Sequence, residues 1–141
     1  MGKTTRLGDL AEAAFDLRAI ELGFQLARPL GADSRYDRIV DNGRKRLLVQ
    51  VKYTAQERRP GVYVVKAARQ QHLGNRRSPK TVQYLKGEIH FVAVYLAKEG
   101  SWYILPYAAL RGRKNLTLPG RELAHLSPYG KYFERWGLLR R

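Results

Sequence analysis

The 141-residue chain contains no cysteine, which excludes both disulfides and thiolate metal sites. It has only three His residues, so any bound metal has to be held by oxygen or imidazole ligands. No apolar run approaches the ~20 residues needed to cross a bilayer. The stretch from Met1 to Arg6 carries no apolar core of a secretory signal. These absences set the expectation of a cytoplasmic protein with no membrane partner and no small-molecule cofactor. Acidic residues are scarce as well, with 12 Asp and Glu against 27 Lys and Arg, for a net charge of +15. What is present suffices for a core: 44% of the residues are hydrophobic, and the length fits one domain spanning 1–141.

The charge is unevenly placed. Residues 1–41 hold six basic and seven acidic side chains, whereas 42–141 hold 21 basic and five acidic. Between Arg58 and Gly87 there are eight Lys or Arg and no acid. Such an excess repels itself unless a polyanion offsets it, so a nucleic-acid partner is expected, in a nucleoid-associated setting. The basic residues follow no amphipathic helical period, which argues against a membrane surface.

The pattern predicts a helix from Leu7 or Gly8 to Leu22, with Leu10, Ala14 and Leu17 joined by Ala13, Phe15 and Ile20 as its buried stripe. Gly23 is placed to end it. A short strand is predicted over Phe24–Ala27. Tyr36–Asp41 and Arg46–Tyr53 read as two strands of a hairpin turning at Asn42-Gly43. Gly61–Val65 reads as a third strand of the same sheet, and Lys66–Lys86 as a basic, partly helical loop. Ile89–Leu96 and Trp102–Leu105 form a second hairpin, followed by a short helix over Tyr107–Leu110. Tyr129, Tyr132, Phe133 and Trp136 recur at the spacing of a final helix, where they belong to the core or, if exposed, to a subunit interface. The order predicts an α/β or α+β fold, a mixed central sheet flanked by helices in an αβββ-αβ arrangement.

Alternation along the second strand puts Gln50 and Lys52 on one face and Val49, Val51 and Tyr53 on the other. A two-residue Asn42-Gly43 loop pairs Asp41 with Arg44 and Asp37 with Leu48, which brings Asp37 onto the face of Gln50 and Lys52. Glu12 joins them if the first helix lies over that face. Such a set suits a hard divalent cation beside a phosphodiester. Asp37 serves as direct ligand, with Glu12 direct or through water, and the Gln50 side-chain oxygen or the Val51 carbonyl completing the shell. Lys52 then orients or deprotonates the attacking water and counters the charge on phosphate. Taken singly, each residue has a blander reading: Glu12 as part of a solvated face with Asp9 and Asp16, Asp37 as an arginine's partner, Lys52 as a solvent-facing strand lysine.

Gly8-Asp9-Leu10-Ala11-Glu12 on a first helix, Tyr36-Asp37 before a hairpin and Val49-Gln50-Val51-Lys52 together resemble the PD-(D/E)XK nuclease superfamily. The likeness is strongest to its group I intron-encoded homing endonucleases, in which Gln replaces the second acid of the motif. It runs from about Lys3 to Trp136. This resemblance implies a restriction-endonuclease-like core, Mg²⁺-dependent cleavage of double-stranded DNA (with Mn²⁺ able to substitute), a homodimer or homotetramer, and Glu12, Asp37, Gln50 and Lys52 as the catalytic set. Tyr36 stands at the namesake proline position, which carries no chemistry. Gln50 is the departure that matters, because a neutral amide binds metal less well than a carboxylate.

Phosphate contacts are expected from Arg35, just before the hairpin, and from Arg58, Arg59, Lys66, Arg69, Arg76, Arg77 and Lys80, on or near the loop after it. The leading expectation is a site-specific, homing-type endonuclease. Its alternatives are a structure-specific nuclease of the junction-resolvase or repair type and a catalytically weak DNA-binding domain.

Overall fold

A computed structural model of the protein describes residues 3–31, 34–71 and 80–141. Its centre is a five-stranded mixed sheet. In spatial order the strands are β1 (Gln25–Ala27), β2 (Arg38–Asp41), β3 (Arg46–Thr54), β8 (Phe91–Leu96) and β9 (Ser101–Pro106). All neighbours run antiparallel except β3 and β8, which pair in parallel with Gln50 beside Val92 and Lys52 beside Val94. Helix α1 (Lys3–Glu21) covers one face. A second sheet of β4 (Glu57–Arg59), β5 (Val62–Lys66) and β10 (Asn115–Pro119) covers the other, together with α2 (Tyr107–Leu110). Because β8 and β9 are buried on both faces, they read as near-continuous apolar runs. Ala93, Trp102 and Ile104 face the α1 side, whereas Val92, Val94, Leu96, Tyr103 and Leu105 face the second sheet.

Several sequence expectations are corrected. The buried stripe of α1 is Ala11, Phe15 and Ala19, while Leu10, Leu17 and Ile20 are 53%, 63% and 62% exposed. Small residues at i and i+8, with Phe15 between them at i+4, let the helix settle close to the sheet around one large side chain. Gly23 ends α1 as expected, at φ 91°, with its N–H donating to Ile20 O and Phe24 N–H donating to Ala19 O. The third strand belongs to the second sheet: β5 pairs with β10 and β4, and does not extend the hairpin. The described part of 66–86 is extended, with β6 (Arg69–Gln71) antiparallel to β7 (Lys80–Val82). The C-terminal aromatics lie on no single helix. Three short 3-10 segments, Ala124–Leu126, Gly130–Tyr132 and Trp136–Arg140, carry or flank them, and Glu134 at φ 52° interrupts the path. Trp136 is buried, and Tyr129, Tyr132 and Phe133 pack partly buried against the core.

The hairpin turn is centred one residue later than predicted. Asn42 Oδ1 accepts from the N–H groups of Arg44 and Lys45, and Asn42 N–H donates to Lys45 O. The loop is therefore Gly43-Arg44, and Asp41 pairs with Arg46 instead of Arg44. Every partner moves by two, so each strand side chain keeps its predicted face, and Asp37, just before the ladder, meets Gln50 through its side chain instead of standing opposite Leu48. Gly43 adopts φ 88° with nothing within 4 Å of where a Cβ would stand. Gly43→Ala is therefore a purely conformational change, expected to cost about 1 kcal/mol in urea denaturation. An unchanged midpoint would show that the turn relaxes freely.

Candidate active site

Asp37 lies at the end of the segment entering β2, where its N–H donates to Val49 O (2.9 Å) and so extends the hairpin ladder. Its Oδ2 accepts two hydrogen bonds, from Gln50 Nε2 (2.8 Å) and from the Val51 N–H (2.8 Å). Oδ1 takes no part in these bonds. Since the Gln50 amide nitrogen is spent on Asp37, its oxygen is the end left for another partner. Burial pushes the Asp37 carboxyl up to about 6. The Val51 bond and the cations Arg38 and Lys52 oppose that rise, and the Glu12 charge adds to it.

Lys52 follows Gln50 on the same face of β3, turned toward the second sheet. Its Nζ donates to Ala68 O (2.7 Å) and lies 5.8 Å from the Tyr84 ring centroid. Burial holds the ammonium down to about 8; Asp37 pulls it back up and Lys66 pushes it further down. Near neutral pH such a lysine is roughly one-tenth unprotonated, so it can take or give a proton without a large penalty.

Glu12 reaches this region differently from the expected route. Helix α1 lies over the opposite face of the sheet, against Leu47, Val49 and Val51. Glu12 meets the site through Arg38, whose Nη1 donates both to Glu12 Oε1 (2.9 Å) and to the Asp37 carbonyl (2.7 Å). The same guanidinium grips Asp16 by two bonds, Nε to Oδ1 (2.7 Å) and Nη2 to Oδ2 (3.0 Å). Arg38 was missed in the sequence, although a signal existed. Strand parity puts it on the helix side with Val40, and a core-facing arginine needs acids such as Glu12 and Asp16, four residues apart on one helix face. Ala68 and Tyr84 left no comparable signal, because their approach depends on how the chain returns after β5.

The oxygen donors suit a hard cation. Asp37 Oδ1, a Glu12 oxygen, Gln50 Oε1 and the Val51 carbonyl are the carboxylate and carbonyl oxygens that could hold such a cation, of the kind that Mg²⁺ takes beside its waters. Among the described residues no group of three or more His, Asp or Glu could hold a metal. The cation would thus rest on two carboxylates and neutral oxygens.

Of the basic residues expected to meet phosphate, Arg58, Arg59 and Lys66 are exposed on β4 and β5. Arg35 is exposed and paired with Glu88 (3.5 Å). Arg69 and Lys80 lie in β6 and β7, and Arg76 and Arg77 lie outside the described residues. The hairpin turn adds Arg44, Lys45 and Arg46, all exposed.

The profile of the PD-(D/E)XK endonuclease family matches residues 2–130. No curated protein matches the sequence. Among solved structures, the bacterial homing endonuclease I-Ssp6803I aligns with a TM-score of 0.83 at 28% identity, covering 99% of this chain and 94% of that one. Hjc, a Holliday junction resolvase from the archaeal hyperthermophile Archaeoglobus fulgidus, aligns with a TM-score of 0.48 at 18% identity, covering 84% of each chain. The mixed five-stranded sheet with α1 across it is the restriction-endonuclease-like fold of the homing endonuclease.

Proposed function

We propose, from the premise that this chain belongs to the PD-(D/E)XK endonuclease family and is a nuclease, that it hydrolyses phosphodiesters in double-stranded DNA at defined sites. The reaction is that of a homing-type, Mg²⁺-dependent enzyme, and the chain acts as one nuclease domain. The observation that carries this reading is the convergence on Asp37. Gln50 and the Val51 amide orient one of its oxygens across the hairpin, and Lys52 follows on the same face.

Asp37 and Glu12 would hold the cation, with the Gln50 oxygen and the Val51 carbonyl beside them. When bound, the metal would neutralise charge gathering on the scissile phosphate. Lys52 performs the proton chemistry. Held near 8 by burial, it withdraws a proton from the attacking water or, protonated, donates to a non-bridging phosphate oxygen. The bond from its Nζ to Ala68 O fixes the amine without consuming its other hydrogens. Gln50 lowers the negative charge of the site relative to a third carboxylate, so millimolar Mg²⁺ is the expected requirement. Arg58, Arg59, Lys66 and the turn residues Arg44, Lys45 and Arg46 supply phosphate contacts along the duplex. Cutting both strands calls for two copies, as a homodimer or homotetramer.

The test is incubation of the purified chain with a duplex DNA library and with four-way junctions, in Mg²⁺, in Mn²⁺ and in EDTA. Cleavage clustered at one duplex sequence, dependent on either cation and absent in EDTA, is expected. Sequence-independent cutting of junctions would make it a structure-specific nuclease. Binding without cleavage under every cation would leave a DNA-binding domain.

A further inference from the structure

Arg38 uses four of its five N–H groups within one cluster. Two go to Asp16, one to Glu12 and one to the main-chain carbonyl of Asp37. Its side chain is only 8% exposed, against 35% for Glu12 and 34% for Asp16. A single nitrogen, Nη1, thus links the peptide that carries Asp37 to the carboxylate of Glu12. Asp16 occupies the other edge of the guanidinium with both oxygens. That leaves Glu12 a one-point contact through Oε1, and its Oε2 stays out of the Arg38 ion pair. Without Asp16, the Nε and Nη2 edge would be open for Glu12 to grip with both oxygens.

We propose that Arg38, clamped by Asp16, is a positioning residue. It sets the Asp37 peptide and keeps one Glu12 oxygen presented to a divalent cation. The inference rests on the metal-dependent nuclease reading and goes beyond it, because that reading gives neither Arg38 nor Asp16 a role. A planar fork is required for this geometry, and a lysine carries the charge without the fork. A clamp that merely fastens α1 to β2 would stabilise the fold and leave metal affinity alone.

The experiment compares wild type, Arg38→Lys and Asp16→Asn as full-length protein without DNA. Mn²⁺ binding is measured by calorimetry, and amide hydrogen exchange is followed at Val51, whose N–H reports the Asp37 carboxylate, and at Val94 in the core. Arg38→Lys is expected to weaken Mn²⁺ binding by about tenfold or more. Val51 exchange should rise by about tenfold relative to Val94. Asp16→Asn, the milder change, is expected to weaken Mn²⁺ binding about threefold to tenfold although Asp16 is not a ligand. In cleavage assays the loss would fall on kcat, with KM for DNA near wild type. Wild-type Mn²⁺ affinity and a wild-type Val51-to-Val94 exchange ratio in both variants would overturn the proposal. If wild type itself binds no Mn²⁺, the metal-dependent reading fails on its own, and the exchange ratio alone decides the role of Arg38.

Discussion

Lys52→Met is expected to lower kcat for DNA cleavage by a thousandfold or more, yet to make the protein more stable, by about 1–3 kcal/mol at pH 7 in EDTA. The activity loss follows from removing the amine that, on the proposed function, moves a proton beside Asp37. The stability gain follows from burial. The folded protein holds Lys52 down to about 8 from an ordinary 10.5, so the fold disfavours its charged form. That cost is fully present below pH 8 and disappears as pH rises from 8 to 10.5. The full shift is worth about 3 kcal/mol at 1.36 kcal/mol per unit, and the lost bond to Ala68 and the lost attraction to Asp37 reduce the gain. Asp37 behaves in the matching way. Its carboxyl is raised from 3.8 to about 6, so the cost of its charge is absent below pH 3.8, grows as pH rises from 3.8 to 6 and is fully present above 6. Guanidinium denaturation at pH 7 and at pH 10.5 checks the claim. The advantage of Lys52→Met should be present at the first pH and nearly absent at the second. A destabilised variant at pH 7 would mean that the lysine's partners outweigh its desolvation.

The second large effect is structural. Phe15→Ala is expected to cost about 3–5 kcal/mol in stability, the range for emptying a fully buried phenylalanine site. Phe15 is fully buried, with Trp136 at 5.4 Å and Trp102 at 5.8 Å between ring centroids. Trp102 and Trp136 also meet each other at 5.6 Å, so the cavity would open in a cluster of rigid rings that collapses poorly. Because α1 carries both Glu12 and Asp16, loosening it would also reach the active site. Urea denaturation followed by tryptophan emission measures both aspects. A shift in the midpoint without any change in native emission would place the lost energy elsewhere than this cluster.

How far the sequence could be read depended on which physical signal each element carried. The hairpin was legible because a parity argument survives a two-residue error: the turn lies at Gly43-Arg44, and Asp37, Gln50 and Lys52 still share a face. The buried face of α1 was misread because hydrophobicity favours Leu10, Leu17 and Ile20. Close approach to a sheet instead favours alanines around Phe15, and size decided the contest. The assignment of β5 to a second sheet was invisible, since Val62–Lys66 has the same pattern whichever sheet it joins. The aromatic spacing at the C-terminus imitated a helix, but Gly130 and the left-handed Glu134 divide the segment into short 3-10 turns. At the candidate site, strand parity already grouped Asp37, Gln50 and Lys52, which the structure brings to one face. Their buried partners, Arg38 above all, emerged only once the helix had a place on the sheet.

The parallel pairing of β3 with β8 bears on how the chain comes to its final form. The β2–β3 hairpin closes over a few residues and can bring Asp37 to Gln50 on the microsecond scale typical of hairpins. Residues 49 and 91 meet only after the chain between them has looped back, and such nonlocal pairing is slow to nucleate. The contact of Asp37 with Gln50 is therefore available to a nascent chain early. The amine at Lys52 gains its Ala68 partner and its buried environment late, when β5 and β8 have docked. On the proposed function, an incompletely folded chain would expose its basic charge before Lys52 has its buried place, so partially folded molecules are expected to bind DNA without cutting it.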